Sequence, residues 1–335
     1  MKEALHYVKM VNNKVQCKLC PHNCIIVNGK PGICLVRKNF DGILYTMVYG
    51  RPAAMHTDPI EKKPLYHFFP GSKILSIGTF GCNLKCSFCQ NCEISQVFPE
   101  SVMVSGEKPV QEIVNEVLID PYTIGLAYTY NEPLMFFEYM MDLARAIKKN
   151  KLKNVMVSNG FINQEPLGEL LEVIDAFNID LKSFNNYFYT TQTKSFLPPV
   201  LDTISAIIKR GRHLELTFLA IPGLNDSRDE FEKMTDWILE NCGRKTILHI
   251  SKYFPAYHLD APPTPLKLLE DLYAIAKKKL DFVYIGNTGT SIGRDTICPV
   301  CGNILISRSG YIAGTIGLSA SGNCLKCDEH ILTYS

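Results

Sequence analysis

The chain has 335 residues, 46% of them hydrophobic and 20% charged, which excludes a disordered or collagen-like polypeptide and leaves ample apolar surface for a core. A net charge of +2 gives no electrostatic reason for a nucleic-acid or membrane partner. No apolar run approaches the roughly 18 residues of a spanning helix, and residues 1–14 lack the apolar heart of a signal peptide, so the cytoplasm is the expected compartment. In a reducing compartment the 13 cysteines are better read as metal ligands than as disulfides.

The first cysteines are Cys17, Cys20, Cys24 and Cys34, spaced C-x2-C-x3-C-x9-C. Four thiolates so spaced suit a structural zinc, the preferred reading, or an auxiliary [4Fe–4S] cluster; His22 could replace one ligand. From residue 73 onward, strands alternate with helices. Lys73–Thr79 reads as a strand, Pro109–Ile119 as a helix and Gly125–Thr129 as a strand. Leu134–Lys149 is a long helix with basic residues in its last turn. Asn154–Val157 is a strand, Glu165–Ile174 a helix with Pro166 in its first turn, and Phe177–Leu181 a strand. Val200–Arg210 is a helix closed by Gly211, and His213–Ala220 a strand. Ser227 and Glu230 form a capping box for a helix ending near Cys242, whose lone thiol reads as buried and structural. Thr246–Ile250 is a strand, Thr264–Lys279 a helix and Phe282–Ile285 the last strand.

Such alternation implies right-handed βαβ units and a parallel α/β sheet, either a complete or partial barrel or a doubly wound sheet. Active sites of these folds lie where the strands end at their carboxyl side, so the following loops deserve the closest reading. Cys298, Cys301, Cys324 and Cys327 make two C-x2-C knuckles separated by β-forming and glycine-rich sequence, a zinc-ribbon pattern; iron could use the same ligands. Three parts are therefore expected: an N-terminal Cys-rich module with its lead-in (1–72), a central body (73–290) and a C-terminal zinc-ribbon-like module (291–335).

Behind the first strand of the body, Cys82, Cys86 and Cys89 are spaced C-x3-C-x2-C. Three thiolates on a tight loop can hold three irons of a [4Fe–4S] cluster and leave the fourth open; a zinc knuckle with a distant fourth ligand is the bland alternative. Cys92 reads as an additional thiol. With the aromatic Phe88 before the last cysteine, this stretch resembles the signature of radical S-adenosylmethionine (SAM) enzymes. CKLCPHNC (17–24), GKPGICLVR (29–37), the segment 49–72 containing HTDPIEKK, SIGTFGCNLKCSFCQNCEIS (76–95), AYTYNEP (127–133), VSNG (157–160), NIDLK (178–182), IPGLND (221–226) and CPVCG (298–302) together resemble the AmmeMemoRadiSam family, relatives of the pyruvate formate-lyase activating enzymes.

The resemblance implies a partial (β/α)6 radical SAM barrel with N- and C-terminal Cys-rich metal-binding modules. It implies a [4Fe–4S] cluster on Cys82, Cys86 and Cys89 and reductive cleavage of SAM to a 5′-deoxyadenosyl radical. That radical abstracts hydrogen from an unidentified substrate. SAM contacts are expected from Phe88, Asn131, Glu132, Ser158, Asn159, Asp180, Lys182, His249 and Asn287, though Tyr130-Asn131-Glu132 departs from the superfamily's Gly-Gly-Glu segment. The backbone of 221–226 is expected beside the adenine, with His56, Asp58, Glu61 and Lys62 as further candidates. The implied partners are a flavodoxin or ferredoxin electron donor and Memo-like and AMME-region-like companion proteins. Activation of a glycyl-radical enzyme, or a non-catalytic metal-bound scaffold, are the alternative functions.

Overall fold

Short apolar strands such as Ile74–Ile77, apolar at nearly every position, can be buried on both faces only if helices cover the outside of the sheet. The computed structural model, which describes residues 1–99 and 106–333, meets that demand. The main sheet comprises β1 (Ala54–Pro59), β2 (Lys73–Gly78), β3 (Thr123–Tyr128), β4 (Lys153–Ser158), β5 (Ala176–Asp180), β6 (His213–Ala220), β7 (Ile247–Lys252) and β8 (Phe282–Gly286). These strands lie side by side in chain order. β1 runs antiparallel to β2, whereas β2 to β8 are parallel.

The six crossovers carry α1 (Val110–Ile119), α2 (Phe137–Lys149), α3 (Gln164–Val173), α4 (Pro198–Lys209), α5 (Arg228–Cys242) and α6 (Leu266–Lys277). Chain-order pairing excludes the doubly wound alternative, because that topology reverses at a switch point. The sheet ends at β1 and β8 without pairing them, so the barrel is partial: six strand–helix units and a seventh parallel strand.

Local sequence explains most boundaries. Ser227 accepts the Glu230 backbone N–H at the start of α5, and Gly243 ends that helix at φ +92°. The expected capping box is only half formed, because the Glu230 carboxylate instead accepts from the Ser183 hydroxyl and the Phe184 N–H. The Cys242 thiol is half buried, and burial pushes it up to about 11.

Beneath the carboxyl ends of the strands, charge plugs the barrel. Fully buried Glu215 on β6 accepts from His213 (2.9 Å), His249 (2.6 Å) and the backbone N–H groups of Tyr66 and His67. Burial alone would raise the Glu215 pKa, but the two histidines hold it well below the usual carboxylate range.

Residues 2–46 form two small three-stranded antiparallel sheets. They are tied to α2 by a buried ion pair, Arg37 Nη2 to Glu138 Oε1 at 3.0 Å. A three-stranded ribbon (Thr296–Ile297, Ile304–Ser309, Ile312–Thr315) follows β8. Its Arg308 donates to the Tyr66 carbonyl and lies 4.1 Å from the Tyr66 ring. Among the described residues, no helix is long and apolar enough to cross a membrane.

Candidate active site

The loop after β2 carries the three central cysteines, and several neighbours fix its path. Gly81 sits at φ +79°, where a Cβ would also lie 2.4 Å from the Cys34 carbonyl oxygen. Asn131 clamps the loop base, accepting from the Thr79 N–H and donating to the Gly81 carbonyl at 2.7 Å. Further along, Lys85 N–H donates to Thr193 and Ser87 N–H to Gln192, both in the helical turns following β5. The Ser87 carbonyl accepts from His258 N–H. Phe88 is buried and tilts against Phe188, ring centroids 5.9 Å apart.

The result is a cavity of about 440 Å³ at the carboxyl ends of the strands, within the ~300–1,000 Å³ usual for small-molecule sites. Cys82, Cys86, Cys89 and Phe88 line it together with Asn131, Glu132, Ser158, Asn159, Asp180, Lys182 and Asn287. Residues from five separate loops and strand ends, far apart in sequence, thus meet in one place.

Glu132 is buried and caps the turn Pro133–Phe136, accepting from Leu134 N–H. It also accepts from the Ser158 hydroxyl (2.9 Å) and the Asn159 N–H (2.9 Å). Burial outweighs these donors and pushes its carboxyl up to about 7. Across the cavity Lys182 Nζ donates to Asp180 Oδ2 at 2.8 Å. Burial opposes the Lys182 ammonium, but Asp180 and the Cys86 thiol hold it above the ordinary lysine value. Asn225, in the turn after β6, donates to the Lys182 carbonyl at 2.7 Å and accepts from Ile221 N–H. The 221–226 segment therefore braces the site from behind and does not line the cavity.

His249 requires a correction. Thr217 on β6 and Ser251 on β7 line the cavity, but His249 precedes Ser251 by two residues. Two residues along a strand keep the same face and move one layer deeper. There its Nε2 meets Glu215 and its ring stacks on Tyr284 at 5.5 Å, so it belongs to the plug.

The HTDPIEKK segment divides likewise. Lys62 lines the cavity, whereas Asp58 lies behind it, bonded to Lys62 Nζ (2.9 Å), Lys63 Nζ (2.6 Å) and Tyr130 Oη (2.9 Å). Those partners overcome burial and hold Asp58 well below the usual carboxylate range. Glu61 faces away and accepts from Gly71 N–H; His56 meets the Tyr130 ring edge-on. Lys63, Thr217 and Ser251 line the cavity without having stood out in the sequence, and so does Tyr130, which stood out only as a departure from Gly-Gly-Glu. Register could have found Thr217, which pairs directly with Asp180. Nothing comparable marks Tyr130, whose positive φ of 71° is a tertiary constraint.

The thiols separate into two kinds of arrangement. Four thiolates at ~2.3 Å from one tetrahedral zinc lie about 3.8 Å apart. Cys298 Sγ is 3.5 Å from Cys327 Sγ, and Cys301 Sγ is 3.6 Å from Cys324 Sγ. Among the described residues, this quartet is the only set of three or more Cys, His, Asp or Glu ligand atoms all within 4.8 Å of one another. Cys82, Cys86 and Cys89 share a cavity but not one ion-sized sphere, which disfavours a zinc knuckle and suits a larger inorganic core. Burial pushes Cys86 up to about 12 and Cys82 further. Bare thiolates there are unfavourable, and a cationic iron core would supply the missing positive charge. The residues present fit a [4Fe–4S] cluster.

A parallel α/β barrel with three thiols and a polar cavity at its carboxyl face defines a class of redox enzyme, and comparison with known proteins makes the class specific. The radical SAM superfamily profile matches residues 76–238. The uncharacterized protein MJ0808 of Methanocaldococcus jannaschii is 41% identical over 334 residues, 99% of each chain. Pyruvate formate-lyase 1-activating enzyme of Escherichia coli is 22% identical over 164 residues, 47% of this chain and 65% of that enzyme. A radical SAM methyltransferase structure from Sphaerobacter thermophilus superposes with a TM-score of 0.51, at 12% identity, covering 65% of this chain and 67% of that one. Residues 76–238 form a radical SAM domain, distantly homologous to pyruvate formate-lyase activating enzymes, and these relationships mark the protein as a radical SAM enzyme.

Proposed function

We propose that Cys82, Cys86 and Cys89 hold the [4Fe–4S] cluster, and that the cavity beside them takes SAM and a substrate not yet identified. When bound, the cluster and SAM supply the one-electron cleavage of a carbon–sulfur bond that yields a 5′-deoxyadenosyl radical for hydrogen abstraction. The observation that carries this reading is the convergence of the three thiols, the Glu132–Ser158–Asn159 group and the Asp180–Lys182 pair on one cavity.

The chain's own residues would then act as follows. Lys182, oriented by Asp180, pairs with the SAM carboxylate. Glu132, fixed by Ser158 and Asn159, presents negative charge to the SAM ammonium. Asn131 and Asn159 hold the loop and its neighbour in register, and Phe88 shields the cluster side from water. Asn287, just after β8, donates to the Lys252 carbonyl and closes the cavity with Ser251. Lys62 and Lys63 share one carboxylate, Asp58, so the nearby wall carries net positive charge and favours a substrate with an anionic group.

In the same reading Cys298, Cys301, Cys324 and Cys327 hold zinc with no open position. Residues 1–72, 73–290 and 291–335 act as module with lead-in, catalytic body and ribbon in the cytoplasm. A flavodoxin or ferredoxin supplies the electron. The motif set supports membership in the AmmeMemoRadiSam family, with Memo-like and AMME-region-like companions. Activation of a glycyl-radical partner is a second reading, favoured by the names of the activating-enzyme relatives.

The experiment is electron paramagnetic resonance of the anaerobically reduced protein with and without SAM. A SAM-dependent change in the cluster signal supports the reading. An unchanged signal with SAM present in excess overturns it.

A further inference from the structure

The N-terminal cysteines line a second cavity, separate from the active site. Cys17 closes the strand Val15–Cys17, Cys20 and Cys24 lie in the turn behind it, and Cys34 precedes Arg37. All four, with Leu19, Ile26, Gly32, Met135, Asn83 and Arg37, surround one small space. Gly32 permits close approach there, since a Cβ would lie 3.1 Å from Ile26 Cδ1 and 3.7 Å from Cys24 Sγ. His22 is not free to serve through Nε2, which bonds the Asn83 carbonyl oxygen at 2.7 Å.

Two observations say what belongs in that space. The first is Arg37, which is 1% exposed. Its Nη2 is satisfied by Glu138 and the Leu5 carbonyl, but Nε and Nη1 have no partner. Two buried guanidinium nitrogens without acceptors are costly, and Arg37 is one of the residues around the thiols' cavity. They call for an anionic group among the cysteines, and a metal–tetrathiolate centre carries such charge. The second is the spread of the ligands. No three of the four thiols lie within 4.8 Å of one another, whereas the C-terminal quartet does. A single tetrahedral ion would require about 3.8 Å. A four-iron cluster interposes an iron at each thiolate and accommodates the wider set.

We propose that Cys17, Cys20, Cys24 and Cys34 bind a second, fully ligated [4Fe–4S] cluster, with Arg37 donating N–H groups to its sulfur ligands. The site adjoins the active-site loop. Asn83, the residue after Cys82, lines the second cavity, and Gly81, the residue before it, packs so near Cys34 that a Cβ there would lie 2.4 Å from the Cys34 carbonyl oxygen. The protein would therefore hold two clusters separated by one loop.

The test is quantification of iron, sulfide and zinc in three proteins reconstituted anaerobically with iron and sulfide. They are the full chain, a Cys82→Ala/Cys86→Ala/Cys89→Ala variant, and a Cys17→Ser/Cys20→Ser variant. The expected iron is about eight, four and four per chain, with sulfide in equal amounts. The active-site variant decides the matter even if the N-terminal variant misfolds, because it leaves the module intact. About four irons in the full chain and none in the active-site variant, with a zinc in addition to that of the ribbon, would overturn the proposal. If the active-site cluster were the one misassigned, the full chain and the active-site variant would both hold about four irons.

Discussion

At the scale of single residues, the site is governed by how burial and neighbouring charge set protonation. Lys182 stays charged because Asp180 and Cys86 outweigh its burial. If its ammonium holds the SAM carboxylate, Lys182→Ala removes one charge-assisted contact of about 1.5–3 kcal/mol. SAM affinity measured by calorimetry on the reconstituted protein is then expected to fall roughly tenfold to a hundredfold. Unaltered affinity would reduce Lys182 to a structural partner of Asp180. Glu132 makes a pH prediction. Its carboxyl titrates at about 7 when the SAM ammonium is absent, and that ammonium favours the ionised form. SAM binding is therefore fully supported above pH 7 and weakens as the pH falls through it, by at most about tenfold per unit. Glu132→Gln should flatten the profile; a slope that persists in this variant would assign the titration to another group.

At the scale of elements, the Cys82–Cys89 loop is held by contacts from three sides, and its tightest point is Gly81. Gly81→Ala forces a Cβ against the Cys34 carbonyl at a φ that non-glycine residues rarely adopt. The expected result is reduced iron in the active-site loop and a lowered melting temperature; full iron and unchanged melting would mean that the loop yields freely. Cys92 opens the short helix Cys92–Ser95 behind the loop and does not line the cavity, so Cys92→Ala should keep near-normal iron. Much of this was legible in the sequence, from cysteine spacing and strand-end position together with the family resemblance. The C-x3-C-x2-C loop follows an apolar strand, and each of Glu132, Asn159 and Asp180 lies at or just beyond a strand's end. What strand-end position cannot reveal is depth. His249 and Ser251 share a face of β7, and only the buried Glu215 carboxylate, contributed by β6, decides that the histidine lies below and the serine above. Lys63 was equally hidden, since its neighbour Lys62 has the same chemistry and only packing around Asp58 draws both to the wall.

At the scale of the whole molecule, two cysteine-rich appendages dock on the barrel, one through Arg37 and Glu138 and the other through Arg308 and Tyr66. Alternation in the sequence was enough to suggest a parallel sheet with covering helices, but it left barrel and doubly wound sheet open; the partial barrel came from the family resemblance. Alternation could not suggest that β1 pairs antiparallel onto β2, since the backbone hydrogen bonds of that pairing leave no mark in the residue pattern. Nor could it reveal the docking of the ribbon, where Arg308 reaches the Tyr66 carbonyl over 242 positions of sequence. The geometry of the ribbon's four thiols predicts one zinc whose binding contributes directly to folding. Cys301→Ser should lose one zinc per chain and increase hydrogen exchange between residues 296 and 332, while strands β2 to β6 keep their protection. Retained zinc, or loosening spread evenly through the barrel, would contradict that assignment.

The central claim is that the cavity carries out radical SAM chemistry on the cluster of Cys82, Cys86 and Cys89. Its most direct test is mass-spectrometric measurement of 5′-deoxyadenosine after anaerobic incubation of the reconstituted protein with SAM and a low-potential one-electron reductant. The account predicts 5′-deoxyadenosine and methionine in equal amounts from the natural chain, and neither above background from the Cys82→Ala, Cys86→Ala or Cys89→Ala variant. Equal 5′-deoxyadenosine from the natural chain and those variants, or none from a natural chain shown to hold its iron and bind SAM, would contradict it.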